Sequence, residues 1–316
     1  MSDTPPDPTT TFPAAPLIAV DEVDPGPSGR LRIVSVHAHP DDEASKGAGT
    51  IAKLTDGGAR AVLVTCTGGE AGDVLNPAMD RPEVKADLAN VRRDELARAA
   101  GVIGYHQVVM LGYRDSGMPD SEHNAHPRAF ANAPFDEAVD RLASVLRVVR
   151  PHIVLTYADD QKWYPHPDHL RVHDISAPAI EVAAGPATHL PGDPWQVSKV
   201  YYSSWSRSRI EAFHEKFLEL GLESPYDDRW FERPSQDQRI TTRLDVAGYY
   251  ARRKAALVAH ATQIDPTSKF WFGLPDDVAE AAYPWEDWIL ASSEVPTETP
   301  EHDLAAGLHD LVGGEA

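Results

Sequence analysis

Runs of β-branched and apolar residues alternate with helix-length segments through the middle of this chain, and that alternation limits its fold more than any other feature. Ile33-Val34-Ser35-Val36 reads as a strand, residues 43–55 as a helix, 61–65 as a strand and 84–101 as a helix. Residues 107–111 follow as a short strand, 135–149 as an amphipathic helix and 152–157 as another strand. Such alternation implies an α/β fold, a Rossmann-like and mostly parallel sheet with helices on both faces. Farther along, 169–183, 207–220 and 246–262 read as helices, and 199–203 and 239–244 as strands. No internal repeat or linker divides this region, so residues 30–290 are expected to form one domain.

The two ends differ in composition. Residues 1–29 are rich in Pro, Thr and Asp with little periodicity, which predicts a disordered extension. Residues 286–316 hold eight acidic residues and no lysine or arginine, and 291–316 are expected to be a solvated acidic tail. A formal charge of -20 argues against a nucleic-acid partner, because binding a phosphate backbone requires a basic surface. No run approaches the roughly 18 apolar residues of a membrane span, and the start lacks the basic and apolar regions of a signal peptide. No membrane partner and a cytoplasmic location are therefore expected. The single cysteine, Cys66, cannot form an internal disulfide and sits in a strand-like run, where packing is its expected role.

Two short segments carry the chemistry: His39-Pro40-Asp41-Asp42-Glu43 and Tyr164-Pro165-His166-Pro167-Asp168-His169. Both follow predicted strands, and in open α/β sheets ligands bind beyond the carboxyl ends of strands. His39 and Asp42 stand three apart at the start of a predicted helix, and His169 is the best third ligand. Two histidines and a carboxylate leave one coordination position open, the usual arrangement of a catalytic zinc, with Zn2+ expected at one ion per chain and Fe2+ also suited. Asp41 is placed to act as general base, and His166 to stabilise an oxyanion and protonate a leaving amine. Asp168 is expected to hold the tautomer of His166 or raise its pKa, and Tyr164 to donate a hydrogen bond to the carbonyl oxygen. His37 and His173 are spaced to pair with His39 and His169, but adding them would fill the open position, so they are read as non-ligands. His123, His126 and His260 stay open. Gly68-Gly69-Glu70-Ala71-Gly72 is neither a dinucleotide fingerprint nor a P-loop and reads as a sharp turn, and no Gly-x-Ser-x-Gly elbow is present.

At these residues the chain resembles the N-acetylglucosaminyl phosphatidylinositol deacetylase (LmbE-like) superfamily of metal-dependent amidases and deacetylases. Ala38-His39-Pro40-Asp41-Asp42-Glu43 and His166-Pro167-Asp168-His169 carry the likeness, which extends over about residues 31 to 266. Ser45-Lys46-Gly47-Ala48, Thr67-Gly68-Gly69-Glu70, Asn76-Pro77-Ala78-Met79-Asp80, Arg92-Arg93-Asp94-Glu95 and His260-Ala261-Thr262-Gln263-Ile264-Asp265-Pro266 are most similar to the branch that cleaves mycothiol S-conjugates. The resemblance implies His39, Asp42 and His169 as metal ligands, Asp41 as base, His166 as the acid or oxyanion-stabilising group and Tyr164 beside the carbonyl. It also implies that Arg92 and Asp115 hold inositol hydroxyls, and it places Lys46, Asp73 and Gln263 among the substrate-binding positions. Two features depart from the family: Asp73 stands where glutamate is usual, and residues 158–163 replace a glycine-containing loop.

The function so implied is a zinc-type amidase that separates glucosaminyl-inositol from an N-acetylcysteine S-conjugate, with a small-molecule thiol conjugate or aminosugar as its partner. Deacetylation of N-acetylglucosaminyl inositol, a related amidase or sugar deacetylase of secondary metabolism, and metal binding without catalysis are the alternatives. A homo-oligomer is left open.

Overall fold

The computed structural model describes residues 12–159, 161 and 163–308. Its centre is an eight-stranded sheet built from β1 (Leu17–Ala19), β2 (Arg32–His37), β3 (Arg60–Thr67), β4 (Gln107–Tyr113), β5 (Ile153–Tyr157), β6 (Lys199–Ser204), β7 (Thr242–Asp245) and β8 (Trp285–Ser293). The strands lie in the order β1-β4-β3-β2-β5-β6-β8-β7. All neighbours run parallel except β8, which is antiparallel to both β6 and β7. The helices are α1 (Asp42–Ser45), α2 (Ala48–Asp56), α3 (Pro82–Ala86), α4 (Leu88–Ile103), α5 (Phe135–Val149), α6 (Pro167–Ala184), α7 (Arg207–Glu219), α8 (Asp228–Glu232), α9 (Tyr250–Ala259), α10 (Lys269–Phe272) and α11 (Asp276–Ala282).

The expected α/β architecture is therefore present, for a reason legible in the strands. Every residue of β2, β3 and β5 is buried, as continuous apolar strands covered on both faces must be. Side chains alternate along a strand, so Val34, Val36, Val64 and Val154 pack with Leu142 and Leu146 of α5 and Val172 and Ile175 of α6. Their neighbours Ile33, Leu63, Ile153 and Leu155 pack on the other face with Ile51 of α2, Leu96 of α4 and Leu257 of α9. Cys66 belongs to the first of these cores, and burial pushes its thiol pKa up. No helix among the described residues is long and apolar enough to cross a membrane.

Two expected helices are interrupted. Residues 43–55 divide into α1 and α2 at Lys46-Gly47, where Gly47 takes a φ of 90° and a Cβ would lie 2.9 Å from the Trp288 ring. Only glycine meets both demands at low cost. The segment 84–101 likewise divides into α3 and α4 at Asp87.

The chain ends depart further from expectation. Residues 1–11 and 309–316 lie outside the described residues, but within the expected extension β1 pairs with β4 and Ala15 is buried. The acidic stretch read as a tail begins inside β8. Three of its charges are engaged in the fold. Glu286 accepts the N–H groups of Gly49 (3.0 Å) and Thr50 (2.8 Å) at the start of α2, and Asp287 accepts the Tyr283 hydroxyl (2.7 Å). Glu301 is buried against Lys199 (2.5 Å), the Tyr201 hydroxyl (2.5 Å) and Thr242 Oγ1 (3.0 Å), with Leu304 and Leu308 in the core beside it. An acidic composition suggests solvent only when no buried cation is there to receive it.

Removing one partner of a buried pair strands the other charge. Glu301→Ala should lower stability by about 3–5 kcal/mol, measured as a shift of the urea unfolding midpoint. A midpoint unchanged from wild type would show that the C-terminal segment is not part of the cooperative core.

Candidate active site

The order of strands reverses between β2 and β5, with β3 and β4 beyond the first and β6 beyond the second. A crevice opens at such a switch point, outside the carboxyl ends of the two strands. β2 ends at His37, and the turn Ala38-His39-Pro40-Asp41 leads directly into α1. β5 ends at Tyr157, and the chain returns to the same rim where His166 caps α6, its Nδ1 accepting the N–H of Asp168 at 3.2 Å, with Pro167 in the first turn.

Three of the expected groups converge there. His39 Nδ1 lies 3.6 Å from Asp42 Oδ2, and His169 Nε2 lies 3.4 Å from the same oxygen. A tetrahedral ion with ligand bonds of about 2.1 Å separates its ligand atoms by about 3.4 Å, so the donor set fits one zinc-sized cation. All three side chains are buried. A second grouping, His39 with Asp115, His166 and Asp168, shares the His39 ring. There the atoms engage one another: His39 Nε2 meets Asp168 Oδ2 at 3.1 Å, and that oxygen also accepts the Ser116 N–H at 2.9 Å. Asp115 Oδ1 accepts the Gly117 N–H at 2.8 Å. An imidazole that offers one nitrogen to a metal commonly donates its other N–H to a carboxylate. The first grouping is the candidate metal centre, and the second orients it.

Asp168 acts on His166 through its charge, which raises the His166 pKa against larger opposing effects, while its hydrogen bonds go elsewhere. Its carboxylate bonds His39, Ser116 N–H and the Ser116 hydroxyl, and it is the backbone of Asp168, not its side chain, that bonds His166. His166 is buried, its ring 4.5 Å from that of His39 and roughly perpendicular to it. Burial and the neighbouring His39 hold its pKa down to about 4. Tyr164 is 52% exposed, with its ring 5.0 Å from the His169 ring.

Asp41 occupies a left-handed backbone conformation, φ 110°, unusual for a residue with a side chain. Such conformations cost about 1–3 kcal/mol and persist only where the surroundings enforce them. Here Glu43 Oε2 accepts the Asp41 N–H at 3.0 Å, and Arg92 donates to the Pro40 carbonyl (2.6 Å) and to Asp41 Oδ2 (3.2 Å). Burial raises the Asp41 carboxyl pKa, against the pull of the Arg92 guanidinium. At Asp42 burial is outweighed, and Lys46 and His169 hold the carboxyl well below the usual range.

The positions expected to touch substrate divide. Arg92 is buried, with its guanidinium committed to Gly69 O (2.6 Å), Pro40 O and Asp41. Asp115 is also buried, accepting the N–H groups of Ala71 and Gly117. Gln263 donates to the Asp73 carbonyl at 2.9 Å and so ties down the loop after β3, while the Asp73 residue itself is exposed. Lys46 reaches into the site, its Nζ 2.5 Å from Asp42 Oδ1. His37 and His173 stand apart from the metal grouping: His37 Nδ1 lies 3.3 Å from the Tyr157 hydroxyl, and His173 Nδ1 lies 3.0 Å from the Tyr157 carbonyl.

Four contributors were given no role from the sequence. Tyr157 stacks on the His169 ring at 4.7 Å, Ser116 holds Asp168, Glu70 accepts the Asp115 N–H at 3.0 Å, and Glu43 holds Asp41. Glu70 ends the Thr67-Gly68-Gly69-Glu70 motif and Ser116 directly follows Asp115, so position alone carried a signal for these two. Tyr157 ends an ordinary apolar strand and carried none.

Residues 34–180 match the family model described as GlcNAc-PI de-N-acetylase (PIG-L). A mycothiol S-conjugate amidase of Streptomyces coelicolor is 40% identical over 291 residues, covering 89% of this chain and 98% of that protein. A 1D-myo-inositol 2-acetamido-2-deoxy-alpha-D-glucopyranoside deacetylase of Rhodococcus erythropolis is 37% identical over 294 residues, covering 88% of this chain and 98% of that protein. Among solved structures, an N,N'-diacetylchitobiose deacetylase from Pyrococcus horikoshii shares the fold, with a TM-score of 0.56 at 17% identity over 82% of this chain and 83% of that one. With relatives aligned over nearly their whole length and the matched segment carrying the entire His39–His169 cluster, this chain belongs to the GlcNAc-PI de-N-acetylase family, whose members include amidases and deacetylases.

Proposed function

We propose that this protein is a zinc-dependent amidase that cleaves mycothiol S-conjugates, yielding glucosaminyl-inositol and an N-acetylcysteine S-conjugate as a detoxification step. The observation that carries the hydrolytic reading is the convergence of the His39, Asp42 and His169 donor atoms, with the His166 ring 4.5 Å from that of His39. The similarity to the Streptomyces coelicolor amidase supports the choice of substrate.

His39, Asp42 and His169 would hold a zinc ion, which would supply Lewis acidity when bound, and Fe(II) would suit the same donors. Asp41, its carboxyl pKa raised by burial, takes the proton of the attacking water. His166, its ring 4.5 Å from that of His39, supports the oxyanion through its imidazole N–H, and the proton taken up by Asp41 is the one delivered to the leaving amine. The Tyr164 hydroxyl donates to the carbonyl oxygen. Asp168 fixes the His39 ring so that Nδ1 faces the ion position. Arg92 and Asp115, both buried, hold the loops around the site, Arg92 at Pro40 and Gly69 and Asp115 at Ala71 and Gly117.

Deacetylation of N-acetylglucosaminyl inositol is the second reading, favoured by relatives such as the Rhodococcus erythropolis enzyme. Side-by-side kinetics on a mycothiol S-conjugate and on N-acetylglucosaminyl inositol separate the two, with a higher kcat/KM on the conjugate expected. Lys46 supplies a sharper comparison. Its ammonium spends one donor on Asp42 and another on Ser45 Oγ, and the third suits the polar acyl-cysteine part that an acetyl group lacks. Lys46→Ser should therefore reduce kcat/KM for the conjugate by about 10-fold, the worth of one hydrogen bond to a charged group, and reduce that for the acetyl compound less. Equal losses on both, or a wild-type preference for the acetyl compound, would hand the case to the deacetylase.

A further inference from the structure

His260 stands 217 residues from Glu43 in sequence, yet its Nε2 lies 2.5 Å from Glu43 Oε1 and both side chains are fully buried. The other oxygen of Glu43 accepts the Asp41 N–H at 3.0 Å. No step of the proposed chemistry uses either side chain. Among the described residues His260 Nδ1 meets no polar partner, so the ring's hydrogen bonding is directed at Glu43.

The imidazole is itself firmly seated. The His260 main chain closes α9, its carbonyl accepting the N–H groups of Gln263 and Ile264 at 2.9 Å each, and Thr262 two residues on bonds Glu95 of α4 through N–H (2.8 Å) and hydroxyl (2.6 Å). A rigid turn late in the chain is thus connected through one carboxylate to the backbone of the residue at φ 110°. Such a conformation is retained only where its surroundings over-determine it. Arg92 grips the Pro40 carbonyl and the Asp41 carboxylate, and the His260–Glu43 pair grips the Asp41 N–H from the other direction.

We infer that His260, acting through Glu43, is a positioning residue for Asp41, holding its loop so that the carboxylate stays beside the metal centre. The inference rests on the reading of Asp41 as general base. A pair that merely packs the core would change stability and leave the kinetics of folded protein alone, whereas a pair that positions the base moves kcat and leaves KM in place.

The test uses the full chain, metal-loaded, with turnover of a mycothiol S-conjugate, metal content and melting temperature measured for each variant. His260→Ala and Glu43→Asp, which shortens the link by one methylene, should each lower kcat by about 10–100-fold, the scale of a misplaced reacting group. Metal content should match wild type, and KM should move by less than about twofold. His260→Gln, whose carboxamide N–H can still reach Glu43, should recover to within about threefold of wild type. In an Asp41→Asn background, His260→Ala should add less than about a twofold further loss, because residues acting through one group are non-additive. Wild-type kcat in folded His260→Ala, the same loss in the Asp41→Asn background as in wild type, or a loss that tracks missing metal would each overturn the inference. If the alanine variant does not fold, Glu43→Asp set against His260→Gln makes the same comparison. Near-normal turnover by Asp41→Asn alone would instead remove the base reading, a separate and recognisable failure.

Discussion

Asp41→Asn is expected to leave the protein folded and its metal complement intact while turnover falls by about 10²–10⁴-fold, the usual contribution of a positioned general base. Asparagine is the mildest replacement available here. It keeps the size of the side chain and an oxygen for Arg92, and it tolerates a positive φ better than other residues with a side chain. The metal should stay because the candidate donors are His39, Asp42 and His169, and Asp41 contributes no atom to them. What is lost is a carboxylate whose pKa burial has raised, making it a stronger proton acceptor than an exposed aspartate. The measurement is kcat with metal analysis on the same sample. A rate within a few fold of wild type would move the base to another residue, and a protein stripped of metal would show that Asp41 is itself a ligand.

His39→Ala and His169→Ala are each expected to abolish activity together with stoichiometric metal binding. Three protein donors leave no redundancy, and the distances of 3.6 and 3.4 Å to one Asp42 oxygen suit a single small cation. Removing either imidazole leaves two ligands at a centre still walled by carboxylates. His173→Ala supplies the contrast, since its ring faces the Tyr157 carbonyl and lies outside the donor set. Elemental analysis after dialysis checks all three: near one ion per chain in wild type and His173→Ala, and little in the other two. Full occupancy in His39→Ala and His169→Ala would remove the ligand assignment.

The core strands and the cluster of His39, Asp42 and His169 were legible in the sequence because both depend on short-range pattern. Ile33-Val34-Ser35-Val36 is apolar on both faces, which only a covered parallel strand demands, and His39 to Asp42 are so close in sequence that a single turn into α1 brings them together. His169 was identifiable because it too follows a strand at the switch point of the sheet. The break between α1 and α2 was not legible, since it is set by Trp288, which approaches Gly47 from 241 residues away. Strand β8 was hidden for a related reason: Glu286 and Asp287 read as solvated charge until their partners, the amides of α2 and the Tyr283 hydroxyl, are in place.

By itself the sequence determined the alternating layers, the rim on which the chemistry sits and the donor types able to hold a cation, because periodicity and local spacing are properties of neighbours along the chain. Tertiary structure alone decided the work of the supporting groups. Arg92 faces Asp41 instead of open solvent, Asp168 hydrogen-bonds His39, Glu301 neutralises Lys199 in the core, and Glu43 joins His260 to the backbone of Asp41. Each of these pairings spans more than fifty residues except the last short link from Glu43 to Asp41. A buried charge takes whichever partner the packing of distant elements brings within about 3 Å, and no local pattern encodes that choice.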